Sequence, residues 1–177
     1  FAISVTPTLV FKPDYKAWGA NTDLFTHNDS PGGMFKTSIK YCNIPTKKTS
    51  FGVSLAHYGS VNIYESEKWA IGQTDMMSSD RRLSGYFSEE YRSNNAVVAN
   101  LDAHYQILPD KILTFAKHDL YYDIDENKLR QGSALGLALN LPYEIELDIE
   151  AGIGWNAERE EDFAWSVQIA LSRYFLR

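Results

Sequence analysis

The sequence predicts an all-β protein, an antiparallel up-and-down transmembrane β-barrel of about eight strands, and three observations predict it. The first is the run from Ser133 to Trp155. Its odd positions from 135 on are Leu135, Leu137, Leu139, Leu141, Tyr143, Ile145, Leu147, Ile149, Ala151, Ile153 and Trp155, and the residues between are small or polar, with Glu144, Glu146, Asp148 and Glu150 among them. Successive side chains of a strand point to opposite faces, so this period of two is a β pattern. The second observation is that eight such stretches occur. The third is that their connections alternate between long polar segments and tight turns.

Taken in order, 2–12 alternates with Ile3, Val5, Pro7, Leu9 and Phe11 on one face. Segment 13–32 is rich in turn formers and reads as a long loop. The next strands are 33–42, with Phe35, Ile39 and Tyr41 opposite Lys36, Ser38 and Lys40, and 49–58, with Phe51, Val53 and Leu55 on one face; a turn at 43–48 joins them. Segment 59–94 is irregular and too long for a structureless loop. It is expected to extend its flanking strands as a projecting hairpin, with Leu83, Gly85 and Phe87 in the returning arm; two further spans there would make ten strands.

Strand 97–107 sets Val97, Ala99, Leu101, Ala103, Tyr105 and Ile107 against Asn100, Asp102, His104 and Gln106. After the turn 108–111, the parity of 112–123 is ambiguous by residue type. A lysine on a lipid face at mid-bilayer costs roughly 2–4 kcal/mol, so Lys117 is placed inward. A polar loop over 124–132, the hairpin 133–141/145–155 with its turn at 142–144, a polar loop over 156–162 and the strand 163–175 complete the chain.

The alternation alone fits two settings. A soluble barrel would point the apolar row into a core that could bind an apolar ligand, and its carboxylates into water. A transmembrane barrel would point the apolar row at lipid and the polar row inward. The sorting of connections favours the second, because such barrels have short periplasmic turns and long extracellular loops. No apolar run approaches the ~20 residues of a membrane-spanning helix.

The end of the chain, Ala170-Leu171-Ser172-Arg173-Tyr174-Phe175, resembles the aromatic-terminated last strand of small bacterial outer-membrane β-barrel proteins. It departs from that pattern in Arg173, where an apolar residue is usual, and in Leu176-Arg177 after the aromatic. The resemblance extends over all strands as a pattern, to a class and to no single family. It implies a Gram-negative outer-membrane location, a mature chain whose signal peptide has been removed, and partners that are outer-membrane lipid and lipopolysaccharide, or proteins met through the loops or the barrel wall. It also implies a porin-like architecture over a single domain, 1–177.

Eight strands enclose an interior that side chains just fill. Stacked carboxylates at Glu146, Asp148 and Glu150 need counter-charges. Lys36, Lys40 and Lys117, with Asp102 and His104, are expected to supply a lumen charge network. A filled lumen implies a structural or surface-interaction role, or restricted passage of small solutes. The alternative is a lipid-modifying enzyme, an acyl ester hydrolase or acyltransferase, with its site at the external rim. There His27 and Ser30, with His57 and Ser60, would combine a nucleophile with a base.

Composition excludes other classes. The net charge of −6 comes with no dense basic patch for nucleic acid. One cysteine, Cys42, rules out an internal disulfide and a Cys-based zinc site, and the four histidines show no metal-ligand spacing. No phosphate-binding or nucleotide-binding glycine motif is present, and no cofactor is expected. Eleven tyrosines and four tryptophans, among them Tyr41, Tyr105, Tyr143, Trp155 and Trp165 near strand ends, suit membrane interfaces.

Overall fold

The computed structural model describes residues 1–10, 31–63, 68–72, 81–87, 90–156 and 163–173. The chain forms strands β1 (Ala2–Val10), β2 (Gly32–Thr46), β3 (Thr49–Val61), β4 (Trp69–Ile71), β5 (Tyr91–Ser93), β6 (Asn95–Leu108), β7 (Ile112–Asp123), β8 (Lys128–Leu141), β9 (Ile145–Trp155) and β10 (Phe163–Arg173). Eight of them build one antiparallel sheet in the order β1-β2-β3-β6-β7-β8-β9-β10, each paired with its predecessor in that order. The fold is therefore an all-β, up-and-down arrangement. β1 and β10 end the order, and among the described residues no ladder joins them.

β4 and β5 form a separate two-stranded sheet beyond the β3–β6 end, so among the described residues the two extra spans of a ten-stranded sheet are not formed. The Trp69 indole N–H donates to the Gly59 carbonyl at 3.0 Å and ties the small sheet to β3. The expected projecting hairpin is corrected in its second arm. Residues 81–87 turn inward and lie on one face of the large sheet, with Leu83 and Gly85 buried and Phe87 exposed.

The connection over 124–132 is also corrected. β7 and β8 pair to their tips, Asp123 opposite Lys128, leaving a four-residue turn. The Asp123 carboxylate accepts the backbone N–H groups of Asp125 and Glu126, both at 3.0 Å, and Asn127 takes a left-handed backbone (φ 54°). A carboxylate that closes a turn on its own backbone removes the need for a long loop. This end of the hairpin is then only one or two residues longer than those at 47–48, 109–111 and 142–144, and the strict alternation of long and short connections fails there.

The two faces of the sheet differ sharply. On the face covered by 81–87 lie Asn100, Lys117, Asp119, Asp123, Arg130, Asp148 and Glu150, all buried. On the uncovered face lie Val53, Leu55, Leu101, Leu135, Ile149, Ile153, Val167 and Ile169, all exposed. Leu135 is 69% exposed while Glu150 is 1% exposed, the reverse of the usual order of burial for these residue types. The soluble version required Glu146, Asp148 and Glu150 in bulk water; Asp148 and Glu150 are buried and Glu146 is half-buried. An apolar cluster of Ala56, Tyr58, Ile71, Leu83, Tyr86, Ala96, Val98, Tyr121 and Ala164, with Trp69 and Tyr91 against it, seals the covered face at the β4–β5 end.

Candidate functional site

The covered face is built in tiers, and glycine makes the first possible. Gly132 on β8 stands opposite Gly154 on β9, with Gly152 one inward position away. On this bare patch rests the 84–86 backbone: a Cβ at Gly132 would collide with the Ser84 carbonyl, and one at Gly154 with the Tyr86 ring. Gly85 sits against the Ile153–Gly154 backbone at φ +86°, a conformation and a distance that only glycine meets without strain. Gly132→Leu is expected to lift the segment and cost about 1–3 kcal/mol by overpacking. Limited proteolysis at 81–87 checks it: a cleavage rate equal to that of the parent chain would mean that the segment does not rest on β8.

Arg82 anchors the segment. Its Nε and Nη2 donate to Asp119, Nη2–Oδ1 at 2.7 Å, and Nη2 also reaches Asp102 at 2.8 Å. Asp119 further accepts from the Ser84 backbone N–H at 2.8 Å, the Ser84 hydroxyl and the Asn100 amide at 2.8 Å. Burial alone would favour loss of the Arg82 proton, but the hydrogen bonds and charges of Asp119, and then Asp102, hold its pKa above the ordinary value. Burial likewise pushes the Tyr86 phenol above its usual range. The hydroxyl keeps its proton and donates to the carbonyls of Trp155 and Gln131. Above this tier, the Arg130 guanidinium lies 4.0 Å from the Tyr91 ring centroid and 5.5 Å from that of Tyr121.

Below it, Lys117 on β7 reaches across β8 to Glu150 on β9, Nζ–Oε2 2.6 Å, and lies 4.6 Å from the centroid of the Phe115 ring. Next come Asp148, buried, and His104 and Glu146, half-buried. These three, with Lys117, Leu113, Phe115 and Ala138, surround a cavity of about 120 Å³. A second cavity, about 170 Å³, shares Leu113, Ala138 and Glu146 with it and opens among Asp110, Lys111 and Asn140 at the short-turn end. The covered face is thus occupied by 81–87 toward the β4–β5 end and carries the two cavities toward the other.

Of the charge network expected from the sequence, the structure brings Asp102, His104, Lys117, Glu146, Asp148 and Glu150 together on β6, β7 and β9. Lys36 and Lys40 lie apart on β2, Lys36 with its ammonium 5.7 Å from the Tyr58 ring centroid and Lys40 exposed. Arg82, Ser84, Asn100, Asp119 and Arg130 were not anticipated. Asp119 was accessible to reasoning, because placing Lys117 inward carries 119, 121 and 123 with it at period two. Arg82 carried no periodic signal.

His27 and Ser30 lie outside the described residues. His57 is on the uncovered face, its Nε2 2.9 Å from the Asn95 amide oxygen and its ring edge-on to Phe35, while Ser60 hydrogen-bonds Asn94. His118 and Ser133 also pair on the uncovered face, Nδ1–Oγ 2.8 Å. That pairing satisfies two polar groups that would otherwise be costly in apolar surroundings. Among the described residues no three His, Cys, Asp or Glu side chains converge on a metal position. No family model, curated protein or solved structure matches this chain.

Proposed function

We propose that the chain is an integral β-barrel of the bacterial outer membrane, plugged by its own segment 81–87 and acting as a structural or surface-interaction component. The observation that carries this reading is the inversion of the sheet: aliphatic residues exposed on one face, acidic and basic residues buried on the other. In water so large an apolar surface is an association hazard. In lipid it is the stable arrangement.

The position of the aromatic residues supports it. Tyr41, Phe51, Tyr105 and Tyr143 are exposed toward the short-turn end, and Tyr122, Trp155, Phe163 and Trp165 toward the other. Aliphatic residues fill the band between, as between two interfacial girdles. β9 has 11 residues, roughly 36 Å at ~3.3 Å per residue and roughly 28 Å of height at a tilt of about 40°, close to the apolar band of such barrels. Unpaired strand edges cost several kcal/mol per group in lipid. Pairing of β1 with β10 closes the barrel in this reading. Segment 81–87 obstructs the interior, so restricted solute passage is the lesser role.

Folding into detergent micelles tests the proposal. A β-rich sample whose unboiled band migrates apart from the boiled one, and which co-floats with liposomes after alkaline washing, is the expected result. A chain that stays monomeric in plain buffer and ignores liposomes would refute it.

A further inference from the structure

Asp148 is 5% exposed and, among the described residues, makes no hydrogen bond and no ion pair, although it borders the inner cavity. A buried carboxylate without a partner is costly, and proteins keep such groups where a ligand completes them. Lys117, the lysine that lines the same cavity, is held by Glu150. The β9 row therefore sets three carboxylates, Glu146, Asp148 and Glu150, against one ammonium. The remaining lining of the inner chamber is mainly apolar, Leu113, Phe115 and Ala138, with His104 opposite.

From this geometry we infer that the hollow half of the interior is a binding site for a short aliphatic amine in its ammonium form. The ammonium group pairs with Asp148, and the alkyl chain lies along Leu113, Phe115 and Ala138. A second ammonium, where present, reaches Glu146 toward the mouth. Access is from the short-turn end past Asp110, Lys111 and Asn140. The room suffices: about 120 Å³ in the inner chamber alone, against the ~10–15 Å³ that one water needs. A metal ion fits less well, since no three ligating side chains converge there among the described residues. The inference goes beyond the membrane reading and does not rest on it, because the cavity belongs to the fold whatever solvent surrounds the sheet.

The test is calorimetric titration of the folded chain with 1,4-diaminobutane and with butylamine at low salt. Saturable one-to-one binding is expected, tighter for the diamine by about tenfold, one extra charge pair at ~1.4 kcal/mol per decade. Asp148→Asn should weaken both ligands at least tenfold. Ala138→Leu, which fills the chamber and keeps every carboxylate, should abolish binding. Without ligand, Asp148→Asn should unfold at the same temperature as the parent chain or higher, since it removes a charge that has no partner. No saturable heat, affinities unchanged in both variants, or displacement of the amine by equal potassium would overturn the site. So would a large loss of stability in unliganded Asp148→Asn, which would reveal a structural partner.

Discussion

Replacing Asp119 by alanine is expected to remove about 3–5 kcal/mol of stability, the usual cost of stranding a buried charge whose partner is deleted. Asp119 takes hydrogen bonds from Arg82, Asn100 and both donors of Ser84. Its loss leaves the buried Arg82 side chain with Asp102 alone, Ser84 without its acceptor and the Asn100 amide with only the Arg82 carbonyl. The check is a denaturant titration in which the midpoint falls while the slope stays constant. Pairing Arg82→Met with Asp119→Leu should cost much less than Asp119→Ala alone, because the charge is removed with its partner. A single variant within about 1 kcal/mol of the parent chain would mean that 81–87 is not seated on this face. In planar bilayers the same variant should conduct ions where the parent chain does not, as Arg82 is the anchor of the plug.

Placing lysine at Leu135 is the second large effect, and it reads the solvent directly. Leu135 stands at mid-strand on β8, opposite Ala116 and Ala151, and is 69% exposed. In a bilayer, a lysine there is expected to cost about 2–4 kcal/mol. In water the same change at an exposed strand position would fall within about 0.5 kcal/mol. Unfolding titrations of Leu135→Lys from liposomes measure it. A change under about 0.5 kcal/mol would show that this face does not meet hydrocarbon, and the membrane proposal would fall with it.

Period two carried most of the architecture. The hairpin 133–155 announced itself because strict alternation leaves one solution: shifting the register by one residue would exchange Ile149 for Glu150 on the same face. Six other strands were read from the same alternation, and within the described residues their bounds differ from the expected ones by only a few residues at most ends. Lys117 was legible for a different reason, the cost of a charge in lipid, which settled the parity of a strand that residue types left open. The polar tip 124–132 misled, because Lys128, Arg130 and Gln131 resemble a loop by composition although their backbone continues the ladder with β7.

By itself, the sequence determined the strands, their neighbours and the chemical character of each face, since these depend on residues near one another along the chain. Tertiary structure alone decided what fills the covered face. Arg82 meets Asp119 across 37 positions of sequence, and Gly85 meets Gly152 and Gly154 across still more. No local pattern encodes such a meeting, because it depends on which bare patch and which carboxylates the sheet brings within reach of one irregular segment. The same holds for Asp148. Its place in the alternation was plain, but that it makes no hydrogen bond among the described residues became visible only once Lys117 was seen to pair with Glu150.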